Sequence, residues 1–300
     1  MKISSGRVPN ANHYRLLPCV ALAGIGSASL FVPSLRAAKA HGRQYAVVAR
    51  LDAKSARLTA GEIAVRVGDV NEPATTIKAI PDVPRSIGIV IDAGPDQSKV
   101  LAREKELAIA LINEFSDGNT TFIVATSGSS SNSQAALDRY IVTERVRDIA
   151  AATGVKRNVP IYDPIGSVMR QVSIRHGLRM VIFIGEGNDG GSNMRYPELR
   201  SLAESNQIAI FAALVADHSL RGTKSILRYG WNLRELADDT AGIFLENEKT
   251  PKATRRLSGS IRALRLISFE LPSLQPGRYK ISASERQGKR LRAQKAIVIP

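Results

Sequence analysis

Between residues 85 and 245 the chain alternates continuous apolar runs with stretches whose apolar positions recur at spacings of three and four. The run Ser86-Ile87-Gly88-Ile89-Val90-Ile91, closed by Asp92, has the pattern of a strand covered on both faces. A helix is expected next, with Val100, Leu101, Glu104, Leu107, Ala108, Leu111, Ile112 and Phe115 on one side and Ser98 as its N-cap. The alternation repeats: a strand over 120–125, a polar loop over 127–133, helices over 143–152 and 162–172, and a buried strand over 179–184. A helix opened by Pro197 and running to Asn206 follows, then a buried strand over 208–215, a helix over 231–241 stopped by Gly242, and a short strand over 243–245. Apolar strands separated by amphipathic helices predict an α/β domain: a doubly wound, mostly parallel sheet with helices on both faces.

The pattern differs on either side of this region. Residues 45–51, 63–67 and 75–80 alternate like short strands, with turns at Gly61, Gly68-Asp69 and Glu72-Pro73. From Ala263 onward Ile267, Phe269 and Leu271 alternate, then Tyr279, Ile281 and Ala283, and 296–299 closes the chain, which reads as a three-strand meander. The expected organisation is a leader over 1–40, a small β module over 41–84, the α/β domain over 85–248 and a basic β segment over 249–300.

Charge sharpens this division. The formal net charge is +15, from 42 Lys and Arg against 27 Asp and Glu. The first 40 residues hold five basic residues and no acid around an uncharged run from Leu16 to Leu35, followed by Ala38-Lys39-Ala40. This is the composition of an export signal, cleaved in the mature protein, or of a retained anchor helix. The expected location is therefore outside the cytoplasm: periplasm, cell surface or medium, with no membrane span once the signal is removed. The single cysteine, Cys19, lies inside that leader, so the remainder has no thiol, disulfide or cysteine metal site.

From residue 249 to the end, 13 Lys or Arg face only Glu270 and Glu285. Such a segment is either a solvated basic strand face or a surface for an anionic polymer or lipid. Nucleic acid is not an expected partner of an exported chain.

Two stretches carry candidate chemistry. Gly185, Gly187 and Gly190 of GEGNDGG spell G-x-G-x-x-G behind a strand, the outline of a dinucleotide turn. A phosphate there needs a helix N-terminus at the third glycine, and the next expected helix opens only at Pro197. Asp217, the available acid for a ribose, follows Gly185 at too long an interval. The glycines are expected to shape a loop, with Asn188 and Asp189 adding oxygens to its rim or making its turn. Asp92 and Glu186, in contrast, both fall at strand ends on one sheet edge, where two carboxylates begin a hard-cation site. No nucleophile elbow, cysteine nucleophile or pair of histidines at metal spacing accompanies them, with only His41, His176 and His218 beyond the leader.

The order of these features resembles a von Willebrand factor type A domain, in its bacterial exported subgroup. The resemblance rests on Ile91-Asp92-Ala93-Gly94-Pro95-Asp96, Pro160-Ile161-Tyr162-Asp163-Pro164-Ile165, Ile184-Gly185-Glu186-Gly187 and Leu236-Ala237-Asp238-Asp239-Thr240-Ala241-Gly242, and spans roughly 45–298. It implies a ligand-binding, non-enzymatic domain with a metal-ion-dependent adhesion site that binds a protein of the cell envelope or exterior. Carried over residue by residue, the first ligand is Asp92, the two serine positions fall on Gly94 and Asp96, the threonine position on Val159 and the third-loop aspartate on Glu186. The site is thus degenerate. Asp92, Asp96 and Glu186 form a reduced set for Mg²⁺ or Ca²⁺, while Asp92 and Asp96 serve equally as caps of the following helix. Alternatives are a metal-free scaffold, a cation-dependent hydrolase using Asp92, Asp163 and Glu186, and a nucleotide-binding domain using the glycine turn.

Overall fold

The computed structural model describes residues 43–52, 54–127, 134–136, 138–153, 159–215, 230–272 and 274–300. The leader with Cys19, and also His41, Asp217, His218 and most of the polar loop over 127–133, lie outside the described residues, and so does the side chain of Asp96.

The apolar runs become parallel strands because each has a covered face on both sides. Strands β4 (Arg85–Asp92), β5 (Thr120–Ser127), β7 (Leu178–Gly185), β8 (Ile208–Leu214) and β9 (Phe244–Glu246) are parallel, and β6 (Gln134–Ala136) adds antiparallel to β5. The order is β6-β5-β4-β7-β8-β9, with β4 and β7 at the centre. Alternate residues feed two cores. Ile87, Ile89 and Ile91 of β4, with Met180, Ile182 and Ile184 of β7, pack with helices α1 (Leu101–Glu114), α2 (Arg139–Arg147) and α6 (Thr250–Arg262). Val90, Val181 and Phe183 face α3 (Tyr162–Ser173), α4 (Tyr196–Asn206) and α5 (Trp231–Asp239) on the other side. The expected doubly wound α/β architecture is present.

Several helix ends differ from expectation. Helix α1 has Val100 at its N-cap with no side-chain cap, and Ser98 lies in the turn before it. Helix α2 begins earlier than expected because the Asp138 carboxylate accepts hydrogen bonds from the backbone N–H groups of Tyr140, at 2.6 Å, and Ile141, at 3.4 Å. Helix α5 ends with Ala241, not Gly242, in the left-handed region (φ 68°). Gly242 is needed for a different reason: a Cβ there would lie 1.6 Å from the Ile210 carbonyl oxygen, so the chain can pass beside β8 only without a side chain.

The largest correction concerns the flanks. Residues 250–262, read as part of a basic β tail, form α6, whose Ala253, Leu257 and Ile261 recur at every fourth position and are buried. The strands β1 (Arg43–Arg50), β2 (Ile63–Val67), β3 (Val70–Ala79), β10 (Leu264–Leu271), β11 (Gly277–Glu285), β12 (Arg292–Ala293) and β13 (Ala296–Ile299) make one seven-stranded sheet in the order β12-β1-β10-β3-β2-β11-β13. No C-terminal meander exists: β10 pairs with β1 and β3, and β11 pairs with β2 and β13. The turn expected at Glu72-Pro73 is instead inside β3, which runs unbroken from Val70. Pro73 is tolerated there because pairing with β10 stops at Ala74, after a register shift.

This sheet is fastened to the α/β layers by buried charge. Glu204 on α4 is 2% exposed and accepts hydrogen bonds from Arg278 Nε at 2.6 Å, Arg278 Nη2 at 2.7 Å and Arg200 Nε at 3.0 Å. Asp239, at the end of α5, pairs with Lys295 at 2.8 Å and Arg200 at 2.6 Å. The backbone follows the same path: Gln294 donates from Nε2 to the Glu204 carbonyl, and Lys295 donates from N to the Asp239 carbonyl. Part of the basic excess of the last residues is thus spent inside the molecule.

Breaking a buried ion pair from one side leaves its partner uncompensated, at a cost of about 3 kcal/mol. Arg278→Ala, which strips the two shortest hydrogen bonds from buried Glu204, is expected to lower the unfolding free energy by about that amount in urea titration, whereas Lys280→Ala on exposed β11 changes it by less than about 0.5 kcal/mol.

Candidate functional site

The carboxyl ends of β4, β5 and β7 meet at one edge, as the alternation requires, and bring the candidate residues there. Asp92 closes β4 opposite Ser127 of β5 and is 4% exposed. Its Oδ1 accepts hydrogen bonds from Ser127 Oγ at 2.7 Å and from the Gly94 N–H at 3.1 Å. Gly185 makes room for it: a Cβ at that position would lie 2.2 Å from the Asp92 Cβ. Glu186 follows directly, and its Oε2 accepts from Gln97 Nε2 at 3.0 Å.

Gly94 and Val159 do come together, as the carried-over positions imply, but through contact and not through oxygen donors. A side chain on Gly94 would strike the Val159 Cγ2 at 2.8 Å, so the valine occupies the space beside the first loop. Val159 also accepts a backbone hydrogen bond from Gly190 at 3.0 Å. Of the carried-over positions, Gly94 offers no side chain, Val159 offers methyl groups, and Asp92 accepts from a hydroxyl and an N–H. Among the described residues no group of three or more His, Cys, Asp or Glu is arranged to hold a metal ion.

The glycine turn has a definite use. Asp189 Oδ1 accepts from the N–H groups of Ile161 at 2.9 Å and Tyr162 at 3.3 Å, and Ser192 Oγ accepts from Tyr162 N–H at 3.0 Å, so the loop caps α3 from outside its own sequence. Asp163 returns the interaction, accepting from the backbone of Asn193 at 3.0 Å and Met194 at 2.8 Å. The Asp189 and Ser192 side chains are engaged in this clamp, and the next helix, α4, opens only at Tyr196, so no helix N-terminus stands at the third glycine. Asn188 sits half-buried on the rim of the loop. His176, exposed before Gly177, is remote from these contacts in sequence and makes none of them.

Three participants were not singled out from the sequence. Ser127 opens a polar stretch that reads as a loop, and Gln97 carries no signal. Glu104 had one: it occupies an apolar-face position of α1. It is fully buried, and neither of its oxygens has a hydrogen-bond partner among the described residues. Burial, reinforced by the negative charges of Asp92 and Glu186 and opposed by Arg103, pushes its carboxyl up to about 10, so it is neutral at pH 7.

No protein-family model matches the chain, and the search of curated proteins returned no match. Among solved structures, the chain is similar to the conserved hypothetical protein BatB from Bacteroides thetaiotaomicron, at 18% identity and a TM-score of 0.48, over 59% of this chain and 96% of that one. It is similar to an aerotolerance-related membrane protein from Bacteroides fragilis at 13% identity and a TM-score of 0.46, over 59% and 98%. Proximal thread matrix protein 1 from the mussel byssus matches at 15% identity and a TM-score of 0.50, over 65% of this chain and 51% of that one. The likeness is one of fold alone: a mostly parallel sheet with helices on both faces. No helix among the described residues is long and apolar enough to cross a membrane.

Because the folded state holds the Glu104 proton up to about pH 10 and the unfolded chain releases it near 4.5, the unfolded state binds fewer protons across that interval. Stability contributed by this group is present below the unfolded value and lost as pH rises toward 10, with a slope of up to about 1.4 kcal/mol per pH unit. Melting curves from pH 5 to 9 should show a decline that Glu104→Gln flattens, with the variant at least as stable as the parent at pH 8.

Proposed function

We propose that this chain is an exported, non-enzymatic protein-binding module of von Willebrand factor type A-like fold, whose crevice is a degenerate adhesion site that works without a bound cation. The observation that carries the reading is the exposed Trp231. It opens α5 at the carboxyl edge of the sheet and is 64% exposed. The residue before it, Gly230, lies against Leu214 and near Gly187 of the glycine loop. The neighbouring Asn232 donates from Nδ2 to the Tyr162 hydroxyl at 2.9 Å. An exposed indole beside the Asn232–Tyr162 hydrogen bond has the character of an interface anchor, since tryptophan supplies large contact area at small entropic cost.

The rest of the edge supports a scaffold role. Ser127 and the Gly94 N–H orient Asp92, Gln97 holds Glu186, and Glu104 is neutral, so the edge keeps its shape without a metal charge. A protein ligand would meet a half-buried Glu186, the Asn188 rim and Trp231. The leader composition supports export to the periplasm, cell surface or medium. A hydrolytic role for Asp92, Asp163 and Glu186 is less favoured, because Asp163 is spent on the Asn193-Met194 backbone.

Two measurements on the full chain test this. Calorimetric titration with Mg²⁺, Mn²⁺ and Ca²⁺ should give no saturable heat, and Asp92→Ala should behave as the parent. Capture of an envelope partner on the immobilised chain should survive chelator and fall at least about tenfold, roughly 1.4 kcal/mol, in Trp231→Ala. Saturable binding of Mg²⁺ in the range of about 10⁻⁶ to 10⁻³ M, lost in Asp92→Ala, would overturn the metal-free reading. Undiminished capture by Trp231→Ala would overturn the assignment of the interface.

A further inference from the structure

The cations of the last 52 residues fall into two structural classes. Arg278 and Lys295 are committed to Glu204 and Asp239. Others line a cavity of about 620 Å³ on another part of the surface, between the β1–β12 edge of the seven-stranded sheet and α6. Six basic side chains face it: Arg50, Arg255, Arg256, Lys289, Arg290 and Arg292. Asp52 is the one acid in its wall.

Some of this charge is already neutralised. Lys289 pairs with Asp52 at 2.9 Å and Glu285 at 3.4 Å, and Arg256 pairs with Glu248. Arg50 donates from Nη1 to the Gly242 carbonyl at 2.9 Å. Arg255, Arg290 and Arg292 remain: all three are exposed and have no ion-pair or hydrogen-bond partner for their side chains among the described residues. Arg50 keeps its charge and lies within reach of Asp238, so the guanidinium groups that no carboxylate faces are these three. Burial, and then the charge of Arg292, bring the Arg50 guanidinium down to about 10.

An arrangement that holds like charges together without folding benefit is matched by an anion of similar valence. Guanidinium groups favour flat or tetrahedral oxyanions, which accept two parallel N–H bonds from one arginine. The volume exceeds what a single ion needs and lies within the range of small-molecule sites. Ser260 and Ser55 add hydroxyls to the wall. We propose that this cavity binds a small multivalent phosphate-bearing anion carrying about three negative charges, held by Arg255, Arg290 and Arg292.

A second basic cavity, of about 670 Å³, shares Arg290 and provides an internal comparison. Its Arg200, Arg278 and Lys295 are bound to buried acids, and Arg66 lies 3.7 Å from Asp69. Among the described residues only Lys280 and the shared Arg290 are left there without an ion-pair partner, against three arginines in the first cavity, although it is no smaller.

The test is titration of the full chain with inorganic tripolyphosphate at low and physiological salt, with inorganic monophosphate and vesicles of phosphatidylglycerol as separate arms. Saturable 1:1 binding of tripolyphosphate is expected, at least tenfold tighter than monophosphate. Arg255→Ala combined with Arg292→Ala, both confined to the first cavity, should weaken it at least tenfold with an unchanged melting curve, while Lys280→Ala in the second cavity leaves it unaltered. Equal affinity for mono- and tripolyphosphate, or equal loss in Lys280→Ala, would overturn the assignment. Binding to the vesicles alone, with no response to tripolyphosphate, would overturn it in favour of a membrane surface. Both outcomes are independent of the Trp231 and chelator experiments.

Discussion

The seven-stranded sheet meets the α/β layers through apolar contacts of Val48 and Leu264 and through two carboxylates, Glu204 and Asp239, that lie almost entirely out of water. A buried carboxylate is costly unless it is paired and hydrogen-bonded. Here the acids stand at the ends of α4 and α5, and the cations come from α4 itself and from β11 and the β12–β13 segment. Chain parts far apart in sequence are therefore locked at one place. That lock determines where the remaining arginines point, and so where unneutralised positive charge accumulates.

A similar economy governs the opposite chemistry at the carboxyl edge of the parallel sheet. Asp92 is held by Ser127 and the Gly94 N–H and fits only because Gly185 has no side chain. Glu104 lies behind it, uncharged because burial and two neighbouring carboxylates leave no means of stabilising a third negative charge. Val159 fills space against Gly94 where the resemblance implies an oxygen. The edge is tied together by hydrogen bonds from Ser127, Gly94 and Gln97 and by the caps of α3.

The glycine loop illustrates how one sequence feature can support two chemical readings. Its spacing matches a phosphate-binding turn, yet in the folded chain Asp189 and Ser192 cap α3, and Asp163 binds the loop in return. A capping interaction between segments some thirty residues apart has no local signature, because N-cap rules concern the residue beside the helix, and here the cap arrives from another loop. The same limit hid Ser127 and Gln97, whose roles arise from meeting Asp92 and Glu186 in space.

What the sequence determined by itself was the α/β layer: apolar runs buried on both faces can only be interior strands, and the three-and-four spacing of α1, α3 and α4 leaves little alternative. It also placed Asp92 and Glu186 at one edge, since strand ends in a parallel sheet share a side. The helix α6 was legible in Ala253, Leu257 and Ile261 but was obscured by its basic outer face. Only the tertiary structure decided that the two terminal β stretches form one sheet, because antiparallel pairing between distant strands depends on register and docking and leaves no local trace. It alone separated the basic residues that clamp Glu204 and Asp239 from those that face an open cavity, since charge is counted along a chain but compensated in space.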